Sequence, residues 1–259
     1  MSMAGLPRID ARYWILMLLA SVCGTNLGDF ASQTLNLGFI GGFGPFAVIF
    51  AVMLAAARHA EAAGEVYYWV AIVVARAGAT DIADLATHQL RLEYPPLAGA
   101  ILALLVAVLL AGAWGGQTTV VSAQQPDGQW DNRPVANATY WAAMITASVF
   151  GTVSGDFVAG DLGLGAGYGA LATTMLAALI VRDGRLLKPW YWVTVIAVRT
   201  AATNLGDYVA SDEGLNAGFL LAGLCVLALL LGLIAVWRSQ PAPRSLEARS
   251  ETAPSGGEG

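Results

Sequence analysis

Charge is scarce in this chain. Of its 259 residues, 12% are Asp, Glu, Lys or Arg, while 57% are apolar and the mean hydropathy is +0.62. Soluble domains carry about 25% charged residues, so an ordinary water-soluble globule is excluded. Cysteine and histidine are nearly missing as well, with two of each. Cys23 and Cys225 both fall inside apolar segments and read as small core residues, which leaves no disulfide framework. His59 sits in a connector and His88 near a helix end, and both read as solvated or interfacial side chains. The chain also lacks a nucleotide-binding loop, a redox cysteine pair, a hydrolase triad, and the basic patches interleaved with aromatics that nucleic acids require. No enzyme activity and no nucleic-acid partner are expected.

Long apolar runs are abundant. Leu97–Trp114 and Ala217–Trp237 approach or reach the roughly 20 residues that span a bilayer. The first run has no small-residue cleavage site after it and reads as a retained span. The net charge of −5 lies mostly in loops and the tail and says little about partners.

One spacing recurs four times. Tyr13-Trp14 is followed by Thr25 and Asp29, and Tyr68-Trp69 by Thr80 and Asp84. Tyr140-Trp141 precedes Thr152 and Asp156, and Tyr191-Trp192 precedes Thr203 and Asp207, with no slip in register. The residues before each Thr and each Asp are always Gly or Ala: Gly24/Gly28, Ala79/Ala83, Gly151/Gly155 and Ala202/Gly206. A fixed internal repeat governs any further fold reasoning.

Each repeat reads as a two-helix hairpin. A polar lead (1–12) precedes repeat one (13–58) and repeat two (66–114); a loop (115–138) rich in Gln, Asp, Asn and Pro then divides the chain. Repeat three (139–182) and repeat four (190–237) follow, and a tail (238–259) of Pro, Ser, Gly and Glu is expected to be disordered. The expected fold is an all-α integral membrane protein with eight transmembrane helices. These form four parallel-related hairpin repeats in two pseudo-twofold halves.

With the N-terminus inside, Arg8, Arg12, Arg58, Arg133, Arg182, Arg185, Lys188, Arg238, Arg244 and Arg249 face the cytoplasm and only Arg91 the other side. Ten against one places both termini in the cytoplasm. The Tyr-Trp pairs then start each motif helix at the membrane interface, where amphipathic rings prefer to sit. Each Asp lies roughly 22 Å further along, past the midplane.

Thr and Asp at i, i+4 share a helix face, and the small-x-x-x-small pair lets a neighbouring helix approach closely. One turn earlier on the Thr-Asp face stand Ser21 and Ser148 in repeats one and three, but Arg76 and Arg199 in repeats two and four. Charged groups in hydrocarbon are costly and should face one another or water. Four Asp and two Arg at matched depths imply a shared centre with two net negative charges, or three if Asp81 also points inward. The unneutralised carboxylates can be protonated, bind a cation, or face a water-filled cavity. Asn26 and Asn204 follow the Thr in repeats one and four and Asp81 does so in repeat two. They read equally as further oxygen ligands or as interhelical hydrogen-bonding groups. Asp161, Asp212 and Glu213 read as solvated loop acids or as a vestibule that attracts cations.

The in-register recurrence over Tyr13 to Trp237 resembles a family of bacterial multi-pass inner-membrane proteins built from four tandem two-helix repeats of unknown function, whose members are labelled uncharacterised membrane-anchored proteins. The resemblance implies the topology and an inner-membrane setting, and brings no functional residues.

The expected function is a transporter or channel for a small cation, with a lipid bilayer as its surroundings and homo-oligomerisation left open. Asp29, Asp84, Asp156 and Asp207 would form the site, a hard metal such as Mn²⁺ or Mg²⁺ suiting all-oxygen ligands. Thr25, Thr80, Thr152 and Thr203 would add hydroxyls, and Arg76 and Arg199 would set the net charge. No cofactor is expected beyond such a bound cation, and a proton-coupled mechanism fits the same residues. The alternative is a non-transporting scaffold or sensor whose Asp-Arg-Thr network is structural. A weaker third reading is a site for an organic cation or lipid head group.

Overall fold

The computed structural model describes residues 6–59, 64–124, 130–182 and 188–239. Eight α-helices run through them: α1 (Ala11–Asp29), α2 (Gly38–His59), α3 (Glu65–Asp84), α4 (Tyr94–Trp114), α5 (Ala138–Asp156), α6 (Gly165–Arg182), α7 (Lys188–Ala210) and α8 (Phe219–Arg238). The side chain of His59 and most of the proposed tail, 240–259, lie outside the described residues.

The motif helices α1, α3, α5 and α7 form a closed inner ring in that order, α7 returning to α1. The return helices form an outer layer, each packed on the motif helix of the next repeat: α2 on α3, α4 on α5, α6 on α7, and α8 back on α1. Among the described residues, five helices are long and apolar enough to cross a membrane: α1 with its continuation to Thr34, α2, α4, α5 with its continuation to Asp161, and α8. The outer helices hold their large apolar side chains outward, as at Val48, Val52, Leu104, Leu179 and Leu221, all more than half exposed.

Glycine sets the spacing inside the ring, and sets it unequally. A Cβ on Gly24 would stand 2.6 Å from Arg76 Cβ and 2.7 Å from Val73 O, and one on Gly28 2.8 Å from Ala77 O. The same closeness joins α5 to α7, where a Cβ on Gly155 would meet Thr203 Cβ at 2.7 Å. Across the α7–α1 seam the fit is ordinary: a Cβ on Gly206 would lie 3.5 Å from Thr25 Cγ2. Both of these tight seams lie within a half.

Helix starts follow capping rules. Asp10 accepts the Tyr13 N–H at 3.0 Å and Asn137 accepts the Tyr140 N–H at 2.8 Å, so repeats one and three begin alike. After the motif Asp, repeats one to three widen into single π-helical turns: Phe30–Thr34, Leu85–Gln89 and Phe157–Asp161. Left-handed residues Asn36 (φ 55°), Arg91 (φ 53°), Gly163 (φ 68°) and Asn216 (φ 52°) then reverse the chain.

Two expectations are corrected. The loop 115–138 is not wholly irregular: β1 (Val120–Gln124) pairs antiparallel with β2 (Trp130–Pro134). The N-terminal lead docks on this hairpin through Ile9 N–H to Asn132 O (2.8 Å) and Arg133 Nη1 to Leu6 O (3.1 Å). The Tyr-Trp pairs are not interfacial anchors. All four tyrosines are at most 1% exposed, and the tryptophans at most 6%.

Candidate functional site: an acid-walled axial cavity

The inner ring surrounds an axis whose composition changes in layers. At one end the four tyrosine hydroxyls meet in a ring: Tyr13 to Tyr68 at 2.7 Å, Tyr68 to Tyr140 at 2.5 Å, Tyr140 to Tyr191 at 3.0 Å, and Tyr191 to Tyr13 at 2.6 Å. Each hydroxyl can donate once and accept once around that circle, so the ring is self-satisfied. Every tyrosine packs edge-on against its own Trp and tilted against the next repeat's Trp, as Tyr13 does with Trp14 and Trp69. The axis is shut here.

The arginines come next, on opposite helices of the ring. Arg76 of α3 reaches all three other inner helices: Nε to Thr25 Oγ1 (3.1 Å), Nη1 to Ser148 O (2.6 Å) and Nη2 to Thr203 Oγ1 (2.6 Å). Arg199 of α7 donates to Ser21 Oγ (2.9 Å) and Met144 Sδ (3.0 Å). Ser21 and Ser148 on the alternate helices leave the room that two long side chains need. Among the described residues neither arginine is ion-paired with an aspartate; the acids and the guanidiniums occupy successive layers.

Beyond Arg76 the axis opens into a cavity of about 220 Å³. Its wall holds Asp29, Asp84, Asp156 and Asp207 together with Thr25, Thr80, Thr152 and Thr203, every Thr and Asp of the repeated motif. Gln33, His88 and Phe219 complete it at the rim, where the His88 side chain is 58% exposed. The space suffices for several waters, at ~30 Å³ each. Asp29 accepts from Gln33 Nε2 at 3.1 Å, and Asp84 stands 3.9 Å from His88 Nδ1. Asp84 is 5% exposed and no hydrogen bond to its carboxylate is found among the described residues.

The threonines have a common geometry. Each donates its hydroxyl proton to a backbone carbonyl: Thr25 to Ser21 O (3.1 Å), Thr80 to Arg76 O (3.3 Å) and Thr152 to Ser148 O (3.4 Å) four residues earlier in the same helix, and Thr203 to Arg199 O (3.3 Å) or, across to α5, Gly151 O (3.4 Å). With the proton committed, each oxygen offers only lone pairs. Carboxylates and such hydroxyls make a wall of acceptors, suited to a cation and unsuited to an anion.

Not every residue singled out from the sequence joins this wall. Asn26, Asp81 and Asn204 face the outer layer, where each meets a glycine: Gly223 of α8, Gly42 of α2 and Gly169 of α6. The amides of Asn26 and Asn204 donate to Val22 O and Thr200 O in their own helices. Both Asp81 oxygens are buried without a hydrogen-bond partner of normal geometry, and the neighbouring Ser32 hydroxyl donates to Gly28 O. Among the described residues no three His, Cys, Asp or Glu side chains stand close enough to hold one ion.

Gln33 escaped the sequence reading, and His88, read there as a solvated or interfacial side chain, stands half-exposed at the cavity rim, although a signal existed for both. They are the next rungs of the i+4 stripe after Asp29 and Asp84. Extended the other way, the stripe passes Met17, Ile72, Met144 and Val195 and ends on the four tyrosines.

Residues 12–62 match the family model described as Repeat of Unknown Function (DUF347). The chain carries this repeat. The matched stretch covers α1, its π turn and α2, which is one complete hairpin. No curated protein and no solved structure matches the chain. The DUF347 match brings no chemistry with it, so the chemical reading rests on the cavity.

Proposed function

We propose that the protein is a bacterial inner-membrane protein of eight spans, in which the acid-walled cavity binds and transports a small cation. The excess of Lys and Arg on the side that would hold both termini supports cytoplasmic termini. The outward apolar side chains of the outer helices support immersion in lipid. One observation carries the function: four aspartates without arginine partners share one cavity, large enough for several waters, with four acceptor-only threonines.

The geometry favours an ion that keeps much of its water shell, or protons, over a bare metal held by three carboxylates. It also favours a carrier over an open channel. Below the aspartates, Arg76 puts a fixed positive charge on the axis, and the tyrosine ring closes the end that this orientation would put in the cytoplasm. Alternating access would then open the tyrosine end and close the Gln33–His88 rim.

The test is uptake into proteoliposomes of Na⁺, Mg²⁺, Mn²⁺ and H⁺, comparing the wild type with Asp29→Asn and Asp156→Asn. At least a tenfold loss for one ion is expected in both. Normal transport of every ion by both folded variants would sink the site assignment.

A second reading, a non-transporting scaffold, draws on the closed axis and on arginines satisfied by hydroxyls and a carbonyl. It expects no ion flux from the wild type, and Asp→Asn variants at least as stable as the parent.

A further inference from the structure

The seam between repeat four and repeat one differs from the others. In repeats one to three the residue six after the motif Asp closes the π turn: Leu35 N–H to Phe30 O (3.0 Å), Leu90 to Leu85 (2.9 Å) and Leu162 to Phe157 (3.0 Å). In repeat four the same closure, Leu215 N–H to Tyr208 O at 2.7 Å, encloses two more residues. Beside this longer turn lies a pocket of about 700 Å³, between the π turn after α1 and the start of α8. Its wall is apolar at Phe30, Leu220 and Leu224 and polar at Gln33, Asp212 and Asn216. It shares Gln33 and Phe219 with the acid-walled cavity, so the two spaces adjoin at those side chains. The pocket of about 430 Å³ beside α6, by contrast, shares no wall residue with that cavity.

We propose that the lateral pocket and the acid-walled cavity together form one site for a small, freely diffusing amphipathic organic cation. Its ammonium head would sit among the carboxylates and its apolar body between α8 and the π turn after α1. The volume lies within the ~300–1,000 Å³ of small-molecule sites. Phe219 at the junction presents an aromatic ring where an ammonium would pass. Asp84, nearly buried and without a hydrogen bond among the described residues, is left to meet the charge. An inorganic ion needs no apolar annex, whereas an alkylammonium does. This inference rests on the aspartates being a cation site and adds the class of substrate.

The full-length protein in detergent would be titrated calorimetrically with tetramethylammonium and with hexyltrimethylammonium, which share a head and differ in an apolar tail. Hexyltrimethylammonium is expected to bind at least tenfold more tightly. Ala217→Trp, which fills the lateral pocket but lies outside the acid-walled cavity, should erase that advantage and leave tetramethylammonium binding unchanged. Ala217→Leu, a smaller change, should reduce the advantage in part, and Asp84→Asn should weaken both ligands. Equal affinities for the two ions, or an advantage that survives Ala217→Trp, would overturn the lateral site and leave the cation site standing. Copurification of an aminophospholipid that hexyltrimethylammonium cannot displace would equally overturn it in favour of a lipid occupant. If neither ammonium binds while the aspartate variants still lose inorganic-ion transport, this proposal falls and the cation reading survives. If those variants transport normally as well, both fall.

Discussion

At each of Thr25, Thr80, Thr152 and Thr203 the hydroxyl proton goes to a backbone carbonyl, but the oxygens have different neighbours. Thr25 and Thr203 accept from Arg76, while Thr80 and Thr152 present their lone pairs to the cavity. Replacement by isosteric valine should therefore split the four. Thr80→Val and Thr152→Val should weaken cation binding with little loss of stability. Thr25→Val and Thr203→Val should leave a buried guanidinium short of an acceptor and cost about 1–3 kcal/mol, read from chemical denaturation. Arg76→Lys should not restore what Arg76 provides, because one ammonium cannot reach three helices at once as the planar fork does. The tyrosine ring is a second unit at this scale. Tyr13→Phe should cost about 1–3 kcal/mol by breaking the circle. The Tyr13→Phe/Tyr140→Phe pair should cost less than the sum of the two single changes, since the second breaks bonds already weakened. Strict additivity in a double-mutant cycle would mean the four hydroxyls act independently.

The inner helices meet more closely at α1–α3 and at α5–α7 than at α7–α1. On the tight seams a glycine is required because backbone oxygen or a branched side chain already occupies the place of a Cβ. Gly24→Ala would gain about 1 kcal/mol of helix propensity but would overpack against Arg76 and Val73 O, at a cost of about 1–3 kcal/mol or more. Gly206→Ala meets only ordinary contacts and should be neutral or stabilising by up to about 1 kcal/mol. Thermal unfolding of the two variants in detergent should order them that way. The reverse order would contradict the tight fit of α1 against α3. The π turns belong to the same scale. Such turns concentrate at functional sites, and here three of them directly follow an aspartate of the cavity wall.

For the whole molecule, one end of the axis is shut by four hydroxyls while the other opens through Gln33 and His88. The N-terminal lead and the β1–β2 hairpin pack together, and Trp192 Nε1 of α7 donates to Thr119 Oγ1 beside β1 at 3.2 Å. That places the only sheet among the described residues at the tyrosine end. In a background lacking Cys23 and Cys225, Thr152→Cys should react with a membrane-impermeant thiol reagent applied outside intact cells, and so should Leu92→Cys. Thr118→Cys should react only after the membrane is breached. Labelling of Thr118→Cys from outside would invert the proposed orientation. Labelling of Thr152→Cys from the inner face alone would put the cavity mouth on the wrong side.

The repeat, the helix hairpins and the face that carries Ser or Arg, Thr and Asp were all legible from spacing, because a side-chain period of four is a property of the helix itself. So was the alternation of Ser and Arg, whose reason is volume: two arginines from opposite helices fill an axis that four could not share. The tyrosines were legible only as a conserved distance from the aspartates within the repeat, not as part of the same face. Sixteen residues at 100° each set Tyr13 about 160° around a straight helix from Asp29. Both can face one axis only if the helices are tilted, so that the oblique i+4 ridge runs along it. Tilt is a property of four helices packed together, and no single repeat encodes it. The separation of the arginines from the aspartates was hidden for the same reason. Charge counting pairs opposite signs, but helical rise sets Arg76 and Asp84 two turns apart on α3, and the ring keeps Arg76 bound to hydroxyls and a carbonyl instead. Composition and period settled which residues are polar and how they are spaced. Packing around a common axis settled which of them meet.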